Sequence, residues 1–189
     1  SEILRLIDKA RDTDVCLCLI SGGGSALLPA PIDGVSLEDK QQITRLLSEN
    51  GANIAQLNTV RKQLSKVKGG RLRDACNAGQ MATLVISDVL GDPLDVIASG
   101  PTVENSTTAS DALLILQQLN LTTMTPTSII SALKQQAAEA SQLNTGNTAS
   151  QVHIIGNIQT AVAAATAKAK SLGYEVESIA HTSFEGEVN

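Results

Sequence analysis

A glycine-rich segment flanked by two serines directly follows an apolar run near the start of the chain. The segment runs Ser21, Gly22, Gly23, Gly24, Ser25. Glycines lack the Cβ that keeps a ligand away from the backbone, so such a loop can turn several N–H groups toward an anion. Its spacing matches neither the dinucleotide fingerprint nor the Walker fingerprint. A tight turn needs the same residues, and the loop alone does not decide between the two interpretations.

Two carboxylates follow a second apolar run. Asp88 and Asp92 come just after Met81–Ser87, which has the composition of a buried strand. A carboxylate at the end of a strand can hold Mg²⁺ or accept a proton from a hydroxyl group. Aspartate is also common as a cap of turns and helix starts, so both interpretations stay open for each residue.

Basic residues are concentrated in one short region of an otherwise acidic chain. Six of the 14 basic residues are Arg61, Lys62, Lys66, Lys68, Arg71 and Arg73. We expect a helix over Asn53–Val67, which would align Asn58, Arg61, Ser65 and Lys68 along one face. Such a stripe favours an anionic ligand, although a run of charges is also typical of a solvated surface. The adjoining Gly69-Gly70 permits close approach of a ligand to the backbone.

Strand and helix patterns alternate along the chain and must position these residues. The predicted strands are Val15–Ile20, Met81–Ser87, Val152–Ile155 and Glu175–Ala180. The predicted helices, besides Asn53–Val67, are Ser1–Arg11, one from Ser36 with Asp39 in a capping box to Asn50, Asp111–Leu119, Thr127–Ala140, and an alanine-rich one ending at Gly173. This alternation predicts an α/β fold with a mostly parallel sheet covered by helices on both faces.

Polar residues follow each predicted strand. Besides the glycine segment and Asp88, these are Asn157 and His181. Ligands of parallel sheets bind beyond the carboxyl ends of the strands, and we expect these residues to share one rim. The sequence therefore predicts a small-molecule site there.

Composition excludes several classes of function. The formal net charge is −5, and the aromatic residues are one Tyr and one Phe, which argues against nucleic acid as a partner. No apolar run approaches the ~20 residues that span a bilayer, so no membrane partner is expected. The three cysteines, Cys16, Cys18 and Cys76, suggest a reducing compartment and are interpreted as small buried side chains rather than metal ligands.

Four segments resemble the type II glycerate kinases, also called the glycerate 2-kinase or MOFRL family. They are Leu19–Pro31, Leu57–Gly70, Ile86–Asp92 and Asp95–Val103, in the order of the family. The resemblance covers nearly the whole chain. It implies a Rossmann-like three-layer sandwich and phosphorylation of D-glycerate at its 2-hydroxyl, with ATP and Mg²⁺ as cofactors.

The resemblance also implies roles for individual residues. The glycine segment would hold substrate or phosphate through its N–H groups, and Asp88 would bind Mg²⁺ or orient the 2-hydroxyl, with Asp92 in support. Arg61 and Lys68 would neutralise charge on the substrate and the transferring phosphoryl group. Asn157 would contact the nucleotide. Phosphoryl transfer relies mostly on positioning and electrostatics, for which this set of residue types is suitable.

Family chains are longer than this one. A segment with a Gly-Lys-Ala lysine and a smaller C-terminal domain have no counterpart here. We therefore expect residues 1–189 to form a single incomplete Rossmann-like domain, inactive alone and without a completed cleft. A cytoplasmic location is expected, or a mitochondrial one if a transit peptide precedes the chain, and a homo-oligomer is left open. Two alternatives remain: a hydroxypyruvate reductase that uses a nicotinamide cofactor, and a non-catalytic module that binds small anions.

Overall fold

The computed structural model of the chain describes residues 1–139 and 149–177. Within these ranges the strands are β1 (Val15–Ile20), β2 (Gln80–Ile86) and β3 (Ala149–Gly156). The α-helices are α1 (Glu2–Asp8), α2 (Gly24–Leu27), α3 (Leu37–Glu49), α4 (Ile54–Gln63), α5 (Arg71–Asp74), α6 (Ala109–Gln118), α7 (Thr127–Glu139) and α8 (Ile158–Ser171). A 3₁₀ turn covers Ile97–Ser99.

The three strands form a parallel sheet in the order β1-β2-β3. Val15 lies opposite Gln80, and Gln80 lies opposite Ala149, so the three strands begin in register. The register shifts once, between Val85 and Ile86, where the strands end. Parallel strands in register bring all three carboxyl ends to one edge, which confirms the predicted parallel α/β fold.

One face of β1 is open. Val15, Leu17 and Leu19 are 66%, 59% and 70% exposed, whereas Cys16 and Cys18 between them point to the covered face. The expectation of a sheet covered on both faces is therefore wrong for β1 in the described part of the chain. A continuous apolar run does not reveal which of its two faces lacks a covering helix.

Two separate cores stabilise the molecule. The larger one is built by α3, α4, α6 and α7 and contains Ile43, Leu47, Val60, Leu116 and Leu133, each at most 1% exposed. The smaller one lies between the sheet and α1 and α5, around Val67 and Met81. The chain from the end of α4 to α5 crosses from one core to the other, which fixes the basic residues of that segment relative to the sheet.

Helix α3 begins as the sequence predicts. The hydroxyl of Ser36 accepts a hydrogen bond from the Asp39 backbone N–H, and the Asp39 carboxylate accepts one from the Ser36 N–H. The same reciprocal arrangement starts α4 and α6. These caps satisfy N–H groups that a helix start otherwise leaves without partners.

Helix α4 ends at Gln63 rather than continuing to Val67, and this part of the prediction is wrong. The chain leaves the helix because residues 64–66 pair with residues 30–32: the Lys66 N–H donates to the Ala30 carbonyl at 2.8 Å. The Arg71 guanidinium then donates to the last carbonyls of the helix and to the Ser65 carbonyl. Asn58, Arg61, Ser65 and Lys68 are consequently not a stripe on one helix.

The predicted strand Glu175–Ala180 is not formed at residues 175–177. Residues 178–180 and His181 lie outside the described residues. Each remaining helix and strand was predicted within a few residues, except α2, α5 and the 3₁₀ turn, which are too short to give a periodic signal. Within the described residues no helix is long and apolar enough to cross a membrane.

Candidate functional site

The carboxyl ends of the three strands are linked by side-chain contacts. The Asp88 carboxylate, after β2, lies directly over Gly22, after β1: a Cβ built on Gly22 would be 2.5 Å from Asp88 Oδ2. Asn157, after β3, donates from Nδ2 to Asp92 Oδ2 at 2.7 Å. The structure thus brings together the predicted residues of all three strand ends.

The glycine loop turns directly into the short helix α2. Gly23, with φ +81, is the residue before this helix, and Gly24 is its first residue. A Cβ on Gly24 would lie 2.8 Å from the Cβ of Ala98, which has the positive φ of 52. The next residue, Ser99, also has a positive φ. The loop is therefore held against a strained turn that leaves no room for a side chain at position 24.

Gly24→Ala is expected to lower the free energy of unfolding by about 1–3 kcal/mol, because the new methyl group overlaps Ala98. Ala98→Gly removes that overlap and relieves the positive φ, so it should restore most of the loss in the double variant. Thermal unfolding of the four chains measures this coupling.

Gly156→Ala is the matched control, since a Cβ there would meet nothing closer than 3.9 Å. Two results would show that the close approach of Ala98 is not the reason for glycine at position 24. One is an equal loss of unfolding free energy in Gly24→Ala and Gly156→Ala, and the other is a double variant no more stable than Gly24→Ala.

Ser25, at the end of the glycine loop, is fixed by three side chains. Its carbonyl oxygen accepts hydrogen bonds from Lys68 Nζ at 2.7 Å and from Arg61 Nη2 at 2.9 Å. Its hydroxyl is 2.9 Å from the hydroxyl of Ser99. Arg61 and Lys68 therefore meet at one atom although they do not share a helix. Ser65 contributes to the turn between them, since its hydroxyl accepts from the Lys68 N–H.

The other basic residues of the cluster are engaged elsewhere. Lys62, Lys66 and Arg73 each form an ion pair with a carboxylate, namely Asp95, Asp33 and Asp74 respectively. Arg71 caps α4. Of the six predicted cations, only Arg61 and Lys68 are directed to the glycine loop.

A pocket of about 400 Å³ adjoins Ser25, on the side of the loop that faces α3. Besides Arg61 and Lys68 it is lined by Ser25, Ala26, Leu28 and Pro29 and by one face of α3. The α3 residues are Leu37, Lys40, Gln41, Thr44, Arg45 and Ser48. Four of the lining residues are cations and none is a carboxylate, among the residues that the structure describes. A pocket of this charge is suited to an anionic ligand.

Burial and mutual repulsion weaken the charge of these cations. Burial lowers the pKa of Lys68 to about 7, with further lowering by Arg61 and Lys40. Burial also lowers the pKa of Lys40 to about 8, with smaller contributions from Arg61 and Arg71. The pKa of Arg61 is lowered by burial as well. An anion in the pocket would reverse these effects, because it stabilises the charged forms.

The two aspartates have different surroundings. Asp88 is exposed at the end of β2, whereas Asp92 is half-buried, has a φ of 53 and accepts from Asn157. In the described ranges no three His, Cys, Asp or Glu side chains are placed to hold a metal together. Mg²⁺ is commonly bound by one or two carboxylates together with phosphate oxygens and water, and the exposed Asp88 fits that form of binding.

Asn157 has both ends of its amide occupied. Its Oδ1 accepts hydrogen bonds from the N–H and the hydroxyl of Thr160, and Asn157 thereby caps α8. Its Nδ2 donates to Asp92. The structure therefore places Asn157 as a connection between α8 and Asp92.

Sequence reasoning missed Lys40 and Arg45. The signal was present for Lys40, because it falls on the same stripe of α3 as the buried Ile43 and Leu47. A lysine among the apolar residues of a helix is unusual, and Lys40 is placed there because it lines the pocket. Arg45 is an exposed residue of a polar face and gives no such signal.

Residues 1–134 match the model of a protein family described as "Domain of unknown function (DUF4147)". Among curated proteins, a glycerate kinase of Rattus norvegicus is 44% identical over 186 residues, which cover 98% of this chain and 35% of the relative. A D-glycerate 2-kinase of Thermotoga maritima is 41% identical over 177 residues, or 94% of this chain and 40% of the relative.

Solved structures agree with these relatives. A crystal structure of a glycerate kinase from Thermotoga maritima has a TM-score of 0.79 and 41% identity, and the match covers 93% of this chain and 41% of that chain. A protein from Pyrococcus horikoshii has a TM-score of 0.80 and 38% identity, with 92% and 40% covered. The chain thus spans about two fifths or less of the length of these proteins.

Proposed function

We propose that this chain, which belongs to the DUF4147 family, is the glycine-loop domain of a kinase that transfers the γ-phosphoryl group of ATP to the 2-hydroxyl of D-glycerate. The observation that supports this most directly is that one glycine loop has Asp88 over Gly22 and, at Ser25, two cations, Arg61 and Lys68, on the carbonyl oxygen. This set provides N–H groups for phosphate, a carboxylate near the attacking hydroxyl and cations for an anionic substrate.

The acid group of the substrate is proposed to enter the pocket beside Ser25. The pocket contains four cations without a carboxylate among its described lining, so the ligand supplies the negative charge that the protein lacks. Small apolar surfaces from Leu28 and Pro29 lie beside the cations and suit a short carbon skeleton. Pairing with an anion inside a partly buried pocket is stronger than the same pairing in water.

Asp88 is proposed to accept the proton of the 2-hydroxyl as its oxygen attacks the γ-phosphorus. The bond between that phosphorus and the β,γ-bridging oxygen breaks, and ADP leaves with its electron pair. The exposed Asp88 carboxylate is available for this because, among the described residues, it has no cationic partner. Its carboxylate lies over Gly22, next to the loop that is proposed to hold the phosphate.

The loop itself is proposed to hold phosphate oxygens through its backbone N–H groups. Two contacts hold it in position before any ligand arrives, namely Gly24 against Ala98 and the Ser25 hydroxyl against Ser99. Donors that are fixed in advance do not reorganise during the reaction, which is the main source of electrostatic catalysis. Mg²⁺, when bound, would neutralise phosphate charge. Asp92 would hold it, and Asp88 would be the second ligand in the alternative role in which it binds the metal instead of accepting the proton.

The test is made on the full-length protein that carries this chain. We expect release of ADP that depends on both D-glycerate and Mg-ATP, with 2-phosphoglycerate as the product. Coupled measurement of ADP gives the rate, and ³¹P NMR identifies the carbon that carries the phosphate.

Glycerol with Mg-ATP, and hydroxypyruvate with NADH or NADPH, are the controls. Formation of 3-phosphoglycerate would contradict the site of transfer. Oxidation of the nicotinamide without release of ADP would contradict the kinase and favour a reductase. Binding of glycerate without either reaction would favour a module that only binds anions.

A further inference from the structure

Lys40 differs from the other buried lysines of the chain. Three lysines are at least nine-tenths buried: Lys40 is 9%, Lys62 3% and Lys68 2% exposed. Lys62 is paired with Asp95, and Lys68 donates to the Ser25 carbonyl. No residue in the described ranges forms a hydrogen bond or an ion pair with the Lys40 ammonium group. Its ammonium group is not among the buried atoms that lack a partner, so it opens to the pocket that Lys40 lines and is accessible to a ligand there.

The charged groups around Lys40 are cations. Arg61 and Arg71 act on it from the segment containing α4 and α5, and Lys68 is close enough to be affected by it in turn. Arg45, one turn further along α3, adds a fourth positive charge. The arrangement costs stability when the site is empty. Such a cost is typical of a group whose partner is a ligand.

The position of Lys40 in the pocket indicates which part of a ligand it meets. The pocket reaches the glycine loop only at Ser25, and its lining includes neither Ser21–Gly24 nor Asp88. The groups proposed to act on phosphate therefore lie outside it. The wall beside Lys40 combines Leu37 with the Thr44 hydroxyl, which donates to a helix carbonyl and keeps its lone pairs available as acceptors. A small oxygenated carbon chain suits this wall.

We propose that the ammonium group of Lys40 pairs with the carboxylate of the substrate and thereby selects a hydroxy acid over the corresponding uncharged polyol. This proposal rests on the proposed function and assigns to α3 the recognition of the acid end. Lys68 and Arg61 then hold Ser25 and add positive charge to the pocket, while Lys40 pairs directly with the substrate carboxylate.

The test compares Lys40→Met with wild type and with Lys66→Met in the full-length protein. Lys66→Met removes a lysine whose ion pair with Asp33 lies outside the pocket. We expect Lys40→Met to raise KM for D-glycerate by about 30-fold or more, because a buried carboxylate loses its partner. The KM for ATP should stay within about threefold, and the preference for D-glycerate over glycerol should fall by the same factor as KM rises.

Stability gives a second readout that separates recognition from a structural role. At pH 7 and without ligand, Lys40→Met should raise the melting temperature by about 3 °C or more, since it removes a charge that partial burial and the neighbouring Arg61 and Arg71 disfavour. The pKa of Lys40 is about 8 in the folded chain and 10.5 when unperturbed. The destabilisation is therefore complete below about pH 8 and absent above about pH 10.5, and the gain from Met should vanish over the same interval.

Every result of these measurements either supports or overturns the proposed role of Lys40. Unchanged KM for D-glycerate in Lys40→Met, or a rise in KM for ATP instead, overturns the role of Lys40 while the kinase activity of wild type stands. A lower melting temperature at pH 7 would show that Lys40 is structural, which also overturns it. If wild type does not phosphorylate D-glycerate, the proposed function itself is wrong, and the proposal for Lys40 is rejected with it.

Discussion

Asp88→Asn in the full-length protein is expected to lower kcat by about 100- to 1,000-fold. An amide of the same shape cannot accept the proton of the 2-hydroxyl and carries no charge for Mg²⁺. The protein should fold unchanged, because Asp88 is exposed and contributes to neither of the two cores. Steady-state ADP release at saturating D-glycerate and Mg-ATP measures the loss.

Asp33→Asn is the matched control, since Asp33 is an exposed carboxylate that pairs with Lys66, and neither residue lines the pocket. Titration with Mg²⁺ distinguishes the two roles of Asp88. A metal ligand would give a variant that excess Mg²⁺ partly rescues, whereas a proton acceptor would give a loss that Mg²⁺ does not change. A kcat within a few-fold of wild type would mean that Asp88 has neither role.

The second large effect is expected at Lys68. Lys68→Met should lower kcat/KM for D-glycerate by about 100-fold at pH 6, because it removes one cation of the pocket and one of the two side-chain donors that hold the Ser25 carbonyl. The loss should appear in both kcat and KM, since the loop and the pocket share this residue.

The pH profile tests the same residue in wild type. The pKa of Lys68 is about 7, so its positive charge is present below that pH and lost as the pH rises. Because kcat/KM follows the free enzyme, it should fall above about pH 7, by up to tenfold per unit. Arginine stays charged throughout this range, so Lys68→Arg should move the fall to about pH 8, the pKa of Lys40.

A profile that is identical in wild type and Lys68→Arg would contradict a role for the charge of Lys68. A fall in kcat/KM toward acid in the same range would contradict it as well, because the sign would be wrong for a required cation.

The parts of the site that follow strands could be predicted from sequence. Apolar runs locate β1, β2 and β3, and in a parallel sheet the residues after them must share one edge. This is why the contacts of Gly22 with Asp88 and of Asn157 with Asp92 join segments that the sequence had already grouped. The start of α3 was also readable, because Ser36 and Asp39 form a local motif.

The parts that depend on how helices meet could not be predicted. Helix α4 ends at Gln63 because residues 30–32 and Arg71 form hydrogen bonds with backbone groups at its end and just beyond it. These partners lie outside the sequence of the helix. Lys40 lines the same pocket as Ser25 because α3, which belongs to the larger core, lies beside the loop. The positive φ of Ala98 likewise reflects a close approach to Gly24 and has no counterpart in residue type, since alanine does not favour that conformation.

The open face of β1 has a consequence for association between copies of this chain. The side chains of Val15, Leu17 and Leu19 form a row of apolar groups along the outer strand of the sheet. A net charge of −5 gives long-range repulsion between molecules, but this repulsion is screened by salt while the attraction between apolar rows is not. The apolar row therefore contributes more to association between molecules, relative to the repulsion of their charges, as ionic strength rises.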